Sequence, residues 1–292
     1  MRSELPVKSN GLHIWTESFG NHLHAPILLI AGAGAQSIFW EDEFCQRLAE
    51  SERFVVRFDN RDTGLSDSVD FESSPYTIND MAADAIAILD AYDLTAAHMV
   101  GASGGGLICQ VLALEHRRRV LTISALISSP LGTGSNELPN SGYGDLPPPT
   151  TEFLEQLQDF VGEVPEDRDA FIDWTLRKYE AISGSLEVFD KKAKAERAEL
   201  EFARARNLQA MNNHALAVNI SPVSGRALLG GLDVPTLVVH GTEDPLLPYA
   251  HGRAIAETIP GAKLLTIEKM GHDLPRPAWS QIIKAILQHT TA

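Results

Sequence analysis

The chain has 292 residues, and 39 acidic residues against 24 Lys and Arg give it a formal net charge of −15 and an isoelectric point near 5.0. A chain of this length can form one large α/β domain or two small ones. The negative charge disfavours nucleic acids and anionic membranes as partners, because its long-range field repels both. The two cysteines, Cys45 and Cys109, lie in apolar helical patterns and are predicted to be buried free thiols rather than a disulfide or a metal site.

The hydropathy pattern predicts where the protein resides. The segment MRSELPVKSNG lacks the apolar run of a signal peptide. No run of about 18 apolar residues, the length that a membrane-spanning helix needs, occurs in the chain. We therefore expect a cytoplasmic protein with no membrane partner.

Strands and helices alternate along most of the chain. Short apolar or alternating runs predict strands, and apolar residues at helical spacing predict helices between them. The predicted strands are Leu12–Gly20, Pro26–Gly34, Arg53–Asn60, Ala97–Ala102, Val120–Ser129, Val234–Asp244 and Ala262–Glu268. The predicted helices are Phe39–Glu50, the segment after Thr77, the segment after Ser103, His251–Pro260 and Trp279–Gln288. This alternation predicts βαβ units and a mostly parallel central sheet flanked by helices.

The alternation stops after Pro130. A stretch rich in Gly, Pro, Ser and Asn follows, and after it come helical patterns that continue until the next strand. We therefore predict a helical cap at residues 134–225, inserted into a single core that is formed by residues 1–133 and 226–292. Its aromatic residues Phe160, Phe171 and Trp174 are candidate contacts for a substrate.

The stretch HMVGASGGGLICQ contains a G-x-S-x-G motif, Gly101 to Gly105, between a buried strand and a helix. That context predicts a sharp turn that projects the serine hydroxyl at the carboxyl end of the sheet. Side chains at the two outer glycines would collide where strand and helix crowd together. Ser103 is therefore the candidate nucleophile, and the Gly104 N–H is a candidate oxyanion donor. The sequence assigns no role to Gly106.

A serine nucleophile needs a histidine base and an acid that orients the base, and in this architecture the chain order is Ser, Asp or Glu, His. Asp244 follows one predicted strand and His272 follows the next, so order and position both agree. The alternatives are a turn role for Asp244 before its proline, Glu243 as the acid, and a structural role for His272. The remaining candidates, His98, His214 and His240, are interpreted as structural histidines.

The stretch IAGAGAQSIFW, residues 30–40, should supply the second oxyanion N–H, for which Ala33 is the best candidate. A rival interpretation is a dinucleotide-binding unit, since Gly32-x-Gly34-x-x-Ser37 follows a strand and Asp59 ends the next one. The missing third glycine and the bulky residues that follow argue against it. The charged stretch Phe58–Asp67 offers no convincing metal-ligand spacing and is predicted to be a hydrogen-bonded structural loop.

With these residues in place, the chain resembles the α/β-hydrolase superfamily, and within it the aclacinomycin methylesterase-like esterases. The resemblance rests on FWEDEFCQRLAE, VVRFDNRDTGLSD, MAADAIAILDAYDL, VPTLVVHGTEDPLLPYAHG and MGHDLP. It implies hydrolysis of carboxylic esters without cofactor or metal, with Ser103, Asp244 and His272 as the triad. One family member removes a methyl ester from an aromatic polyketide. The chain departs from the family at Ala31, where many relatives have His, at Gly104, where many have a larger residue, and in the insert.

Together these features predict a serine carboxylesterase whose partner is a small-molecule ester, such as a methyl ester of a bulky hydrophobic or aromatic acid. Lactone opening, C–C bond hydrolysis, amide cleavage and acyl transfer use the same residues and remain alternatives. A non-catalytic receptor for a small ligand is the alternative outside enzymes. A glycine at position 104 is expected to enlarge the acyl site. The sequence leaves the physiological substrate and the oligomeric state open.

Overall fold

The structure is a computed structural model, and it describes residues 2–132, 145–160, 162–220 and 226–291. Its strands are β1 (Arg2–Ser9), β2 (Leu12–Phe19), β3 (Ala25–Ile30), β4 (Arg53–Phe58), β5 (Ala97–Ala102), β6 (Val120–Leu126), β7 (Thr236–Gly241) and β8 (Lys263–Ile267). They form one sheet in the order β1-β2-β4-β3-β5-β6-β7-β8. β2 is antiparallel to both β1 and β4, and every other neighbouring pair is parallel.

Helices cover both faces of this sheet. They are α1 (Asp42–Glu50), α2 (Ile78–Ala91), α3 (Gly104–Glu115), α4 (Thr151–Leu157), α5 (Arg168–Ile182), α6 (Lys191–Arg204), α7 (Asn213–Ile220), α8 (Arg226–Leu229), α9 (Ala250–Thr258) and α10 (Arg276–His289). Ile27 and Leu29 of β3 belong to the same buried cluster as residues of α1 and α10, whereas Leu28 and Ile30 belong to a second cluster with residues of α2, α3 and α9. Because both faces are buried, the central strands are continuous apolar runs. The predicted mostly parallel α/β sheet is confirmed.

The predicted and observed elements differ mainly at their ends. The strand predicted over Pro26–Gly34 ends at Ile30, because the four residues that follow leave the sheet and form a turn. The sequence analysis did not predict β1. This strand lies at the sheet edge and is mostly exposed, so it lacks the apolar signal on which that analysis depended.

Within the described residues, α4 to α7 lie inside the insert predicted at residues 134–225, and α8 (Arg226–Leu229) begins at the first residue after it. The boundaries proposed at 133/134 and 225/226 adjoin or lie in segments outside the described residues, and the division into core and cap stays a prediction. Across the described ranges, no helix is long and apolar enough to cross a membrane. Cys45 and Cys109 are buried free thiols, as predicted.

A buried ion pair ties the loop after β4 to α2. Arg61 Nε and Nη2 donate to the two carboxylate oxygens of Asp84 at 2.7 and 2.8 Å, and both side chains are almost fully buried. Such a bidentate geometry satisfies both partners at once. Removal of one partner leaves the other charge buried and unpaired, which is the costly case for ion pairs inside proteins.

We expect Asp84→Asn to lower the free energy of unfolding by about 3 kcal/mol in urea denaturation, because it leaves the Arg61 guanidinium buried without its carboxylate. Asp90→Asn on the same helix is the control. The carboxylate of Asp90 pairs with Arg119 at 2.7 Å but is 64% exposed, and its loss should cost less than about 1 kcal/mol. Equal losses in the two variants would contradict the prediction.

Candidate active site

Ser103 occupies a sharp turn between β5 and α3 with a backbone that non-glycine residues seldom adopt. Its φ is +52° and its ψ is −119°, a conformation that persists only where the surroundings impose it. The Ser103 N–H donates to the Leu126 carbonyl at 2.9 Å, and the Ser128 hydroxyl donates to the Ser103 carbonyl at 2.8 Å. Both ends of the strained residue are thus held by β6 and the residues after it.

Each glycine around Ser103 is required for a different steric reason. A Cβ at Gly101 would collide with the carbonyl of Gly105, and one at Gly105 would collide with the carbonyl of Ile30. Strand and helix can therefore cross closely only without those side chains. At Gly106, to which the sequence assigned no role, a Cβ would collide with the Ser128 hydroxyl. That glycine leaves room for the hydroxyl that holds the serine turn.

The structure brings three predicted site residues together at the carboxyl ends of β5, β7 and β8. The Ser103 Oγ lies 2.9 Å from Nε2 of His272, and Nδ1 of the same histidine lies 2.7 Å from Oδ2 of Asp244. The backbone N–H of His272 donates to the carbonyl of Ile182, at the end of α5, at 2.8 Å. The histidine loop is therefore held by the helical segment as well as by the sheet.

Asp244 is buried, with every carboxylate oxygen engaged. Its Oδ1 accepts the backbone N–H groups of Leu246 at 3.0 Å and Leu247 at 2.7 Å. Burial by itself would raise the pKa of the Asp244 carboxyl, but the charge of His272 and the hydrogen bonds from His240 and His272 hold that pKa far below its usual range. The carboxylate is therefore ionised at neutral pH and can stabilise a positive imidazolium.

Glu243, the rival candidate for the acid, points elsewhere. It is exposed, and its Oε2 accepts the backbone N–H of Ser185 at 2.8 Å. His240, interpreted from the sequence as structural, lies with Nε2 2.7 Å from the Leu247 carbonyl and 3.3 Å from Oδ2 of Asp244. Its place near the end of β7, four residues before Asp244, was the available signal, since it puts the ring close to the loop that carries the carboxylate.

The loop after β3 brings Ala33 close to the serine turn. The Ala35 N–H donates to the Gly32 carbonyl at 3.1 Å, and Gly34 has a φ of +70°, so the loop reverses tightly. A Cβ built on Gly104 would lie 2.9 Å from the backbone nitrogen of Ala33. Within the described residues, no hydrogen bond occupies the backbone N–H of Ala33 or of Gly104. These are the two groups predicted to bind an oxyanion.

That geometry changes the interpretation of Gly104. The expectation was that the missing side chain enlarges an acyl site. The structure instead places the loop of Ala33 against this position, closer than a Cβ normally tolerates. The glycine therefore permits the loop of Ala33 to approach the serine turn closely, and it also lines a cavity beside that loop.

Two cavities lie beside the loop of Ala33. One is lined by Ala33, Gly104, Ile78, Met81, Ile108 and His214, among others. The second is lined by Gly34, Phe171, Leu208 and Met211 together with polar groups. Of the three aromatic residues proposed for substrate contact, Phe171 reaches the second cavity. Trp174 packs on Phe171, and Phe160 packs on Trp174, with ring centres 5.9 and 6.4 Å apart.

The carboxylate of Asp59, which a dinucleotide-binding unit would present to a ribose, is fully buried and already occupied. Oδ1 accepts both the backbone N–H and the hydroxyl of Ser37 at 2.7 Å. Oδ2 accepts the Leu65 N–H at 2.9 Å and Arg204 Nη2 at 2.7 Å. The rival interpretation is wrong because no carboxylate oxygen is free. The charged stretch after β4 is the hydrogen-bonded structural loop that was predicted.

Comparisons with known proteins agree with this arrangement. Residues 25–275 match the family model of the alpha/beta hydrolase fold. The chain is 33% identical over 292 residues to the rhodomycin D methylesterase DnrP of Streptomyces peucetius, which covers 98% of this chain and 97% of that protein. With the same coverage it is 34% identical to the rhodomycin D methylesterase DauP of Streptomyces sp. (strain C5).

A solved structure shows the same fold. The esterase RhEst1 from Rhodococcus sp. ECU1013 superposes with a TM-score of 0.76 at 23% identity, over 100% of this chain and 98% of that one. The family match and the two full-length relatives confirm the resemblance that the sequence predicted: the chain belongs to the alpha/beta-hydrolase family.

Proposed function

We propose that this hydrolase cleaves a carboxylic ester through an acyl-enzyme intermediate on Ser103, with His272 as the base and Asp244 as the acid that orients it. One observation carries the proposal. A serine in a strained strand-to-helix turn lies 2.9 Å from a histidine nitrogen whose other nitrogen lies 2.7 Å from a buried carboxylate. This is the arrangement that activates a hydroxyl as a nucleophile at neutral pH.

In the first half of the reaction the Ser103 oxygen attacks the ester carbonyl carbon while its proton passes to Nε2 of His272. The carbonyl oxygen becomes an oxyanion, which the backbone N–H groups of Ala33 and Gly104 stabilise, because neither has a hydrogen-bond partner among the residues that the structure describes and both lie beside the serine. When the C–O bond to the alcohol breaks, His272 returns the proton to the leaving oxygen. The alcohol departs, and the acyl group stays on the serine.

In the second half, His272 removes a proton from water as that water attacks the acyl carbon. The same two N–H groups stabilise the second oxyanion. The bond to Ser103 then breaks, the serine oxygen regains its proton from His272, and the carboxylic acid leaves. Throughout, Asp244 accepts the Nδ1–H of the histidine and stabilises its transient positive charge. Neither step requires a metal or an organic cofactor.

For the substrate we propose a methyl ester of a bulky, largely apolar acid. The two full-length relatives are named as methylesterases of rhodomycin D. The cavity beside Ala33 and Gly104 is lined mainly by aliphatic side chains, which suits an apolar group. We also propose residues 134–225 as the cap over this site, since Ile182 holds the histidine loop and Met211 contacts Gly34.

A fluorophosphonate probe tests the proposal directly, because it reacts with an activated serine whatever the natural substrate is. We expect one adduct on Ser103, located by mass spectrometry. Ser103→Ala should lose the adduct and hydrolyse p-nitrophenyl esters roughly 10³–10⁶-fold more slowly, since only binding and oxyanion stabilisation remain. An unlabelled Ser103 in the wild-type protein, or a Ser103→Ala variant within tenfold of wild-type turnover, would refute the serine mechanism.

Asp244→Asn should lower kcat for p-nitrophenyl esters by about 10⁴-fold, because an amide cannot hold the histidine in the required tautomer or stabilise its charge. Glu243→Gln is the matched control. Its side chain is exposed and bonds to the Ser185 backbone, and its loss should leave kcat within about threefold. The reverse pattern would show that the acid has been misassigned.

Gly104→Ala should slow hydrolysis of acetyl and naphthoyl esters to the same extent, by about 10- to 100-fold in kcat/KM. The added Cβ must displace the loop that carries the Ala33 N–H, a group that every ester uses. Gly231→Ala, where the nearest atom to an added Cβ is 3.6 Å away, is the control. A loss confined to the naphthoyl ester would show instead that Gly104 shapes the acyl site.

A further inference from the structure

We propose that His214 is a positioning residue for the oxyanion hole: its neutral imidazole, carried by α7, holds the Gly34 peptide group and thereby aims the Ala33 N–H at the substrate carbonyl. The inference rests on the proposed function, since it concerns the oxyanion site of that reaction. The sequence analysis interpreted this histidine as structural and gave it no part in the site.

The geometry of the loop after β3 is the first argument. The Gly34 N–H donates to Nδ1 of His214 at 2.8 Å. The nitrogen of the preceding amide, that of Ala33, lies 2.9 Å from where a Cβ on Gly104 would stand, and its N–H has no hydrogen-bond partner among the described residues. The two amides belong to adjacent peptide planes that meet at the Cα of Ala33, so a bond that fixes the Gly34 N–H restrains the position of the neighbouring Ala33 peptide group in the same tight turn.

The second argument is the tautomer of the imidazole. Nε2 of His214 lies 2.7 Å from the carbonyl oxygen of Arg61. A carbonyl oxygen only accepts, so Nε2 must carry the proton and Nδ1 must be the acceptor. The ring is therefore fixed in the one neutral form that can accept the Gly34 N–H, and it is almost fully buried.

Electrostatics keep the ring neutral. Burial lowers the pKa of His214, and the positive charge of Arg61 lowers it further, while the Arg61 carbonyl and the carboxylates of Asp62 and Asp84 oppose the shift. The helix α7 itself carries no charged residue. A protonated ring would have no lone pair at Nδ1, and the bond to the Gly34 N–H would be lost.

The N-terminal residue of α7 is hydrogen-bonded to the core. The Asn213 side chain donates to Oδ2 of Asp62 at 3.0 Å and to the carbonyl of Val69 at 3.1 Å. Asp62 also accepts the hydroxyl of Tyr76 at 2.6 Å. Asn213, the residue before His214, is thus attached to the loop after β4. This attachment fixes the position of the His214 imidazole.

A pair of variants separates the two bonds of the ring. In His214→Asn the amide oxygen takes the place of Nδ1 and can accept the Gly34 N–H, but the side chain is too short to reach Arg61. In His214→Gln the amide nitrogen can donate to the Arg61 carbonyl, whereas the Gly34 N–H loses the acceptor at Nδ1. Thermal unfolding of both variants reports the stability that each retains.

We measure kcat and KM for p-nitrophenyl acetate and the rate at which a fluorophosphonate labels Ser103. The inference expects His214→Asn to stay within about threefold of wild type, and His214→Gln to lose about 10- to 100-fold in both rates with KM changed less than about twofold. Equal rates in the two variants would overturn it, because a role in packing alone does not distinguish the lost bonds. A wild-type serine that resists labelling would refute the proposed function instead.

Nitrogen-15 NMR of the wild-type protein provides a test that does not depend on a variant that folds. The inference expects an unprotonated, hydrogen-bonded Nδ1 and a protonated Nε2 on His214 at neutral pH. A protonated Nδ1 would overturn it, since that nitrogen could not then accept the Gly34 N–H.

Discussion

The site depends on one strained residue. A serine at a φ of +52° costs on the order of 1–3 kcal/mol relative to an ordinary backbone conformation. Two hydrogen bonds offset this cost. The Ser103 N–H donates to the Leu126 carbonyl, and the Ser128 hydroxyl donates to the Ser103 carbonyl. The flanking glycines allow β5 and α3 to approach closely enough for these bonds to form. The hydroxyl therefore projects from the sheet edge in a direction that thermal motion of a relaxed loop would not maintain.

The parallel sheet then determines which side chains lie close to the Ser103 hydroxyl. Parallel strands end at a common edge, so residues that are far apart in the chain, such as Ser103, Asp244 and His272, meet there. Around them lies a second layer of bonds. His240 contacts the carboxylate, and the backbone N–H groups after Asp244 hold its other oxygen. The short segment after β7 thus keeps the buried Asp244 carboxylate ionised and turned toward His272.

The helices between β6 and β7 are attached to the core at points beside the chemistry. Arg204 of α6 donates to the buried Asp59, Ile182 of α5 accepts the N–H of His272, and His214 of α7 accepts the N–H of Gly34. Each attachment ends on a loop that shapes the site. A movement of these helices would therefore be transmitted to His272 or to the loop of Ala33.

The sequence by itself determined the sheet, the order of its central elements and the three residues that meet at its edge. Local patterns carry that information: apolar runs mark buried strands, and the spacing of Gly101, Ser103 and Gly105 marks the turn. Only the tertiary structure decided which of Glu243 and Asp244 faces the histidine, that Gly106 leaves room for the Ser128 hydroxyl, and that Gly104 admits the loop of Ala33. Those answers depend on contacts between segments far apart in the chain, which residue order does not encode locally. The edge strand β1 escaped prediction for a related reason, since its exposed residues carry no apolar period and only its pairing with β2 makes it a strand.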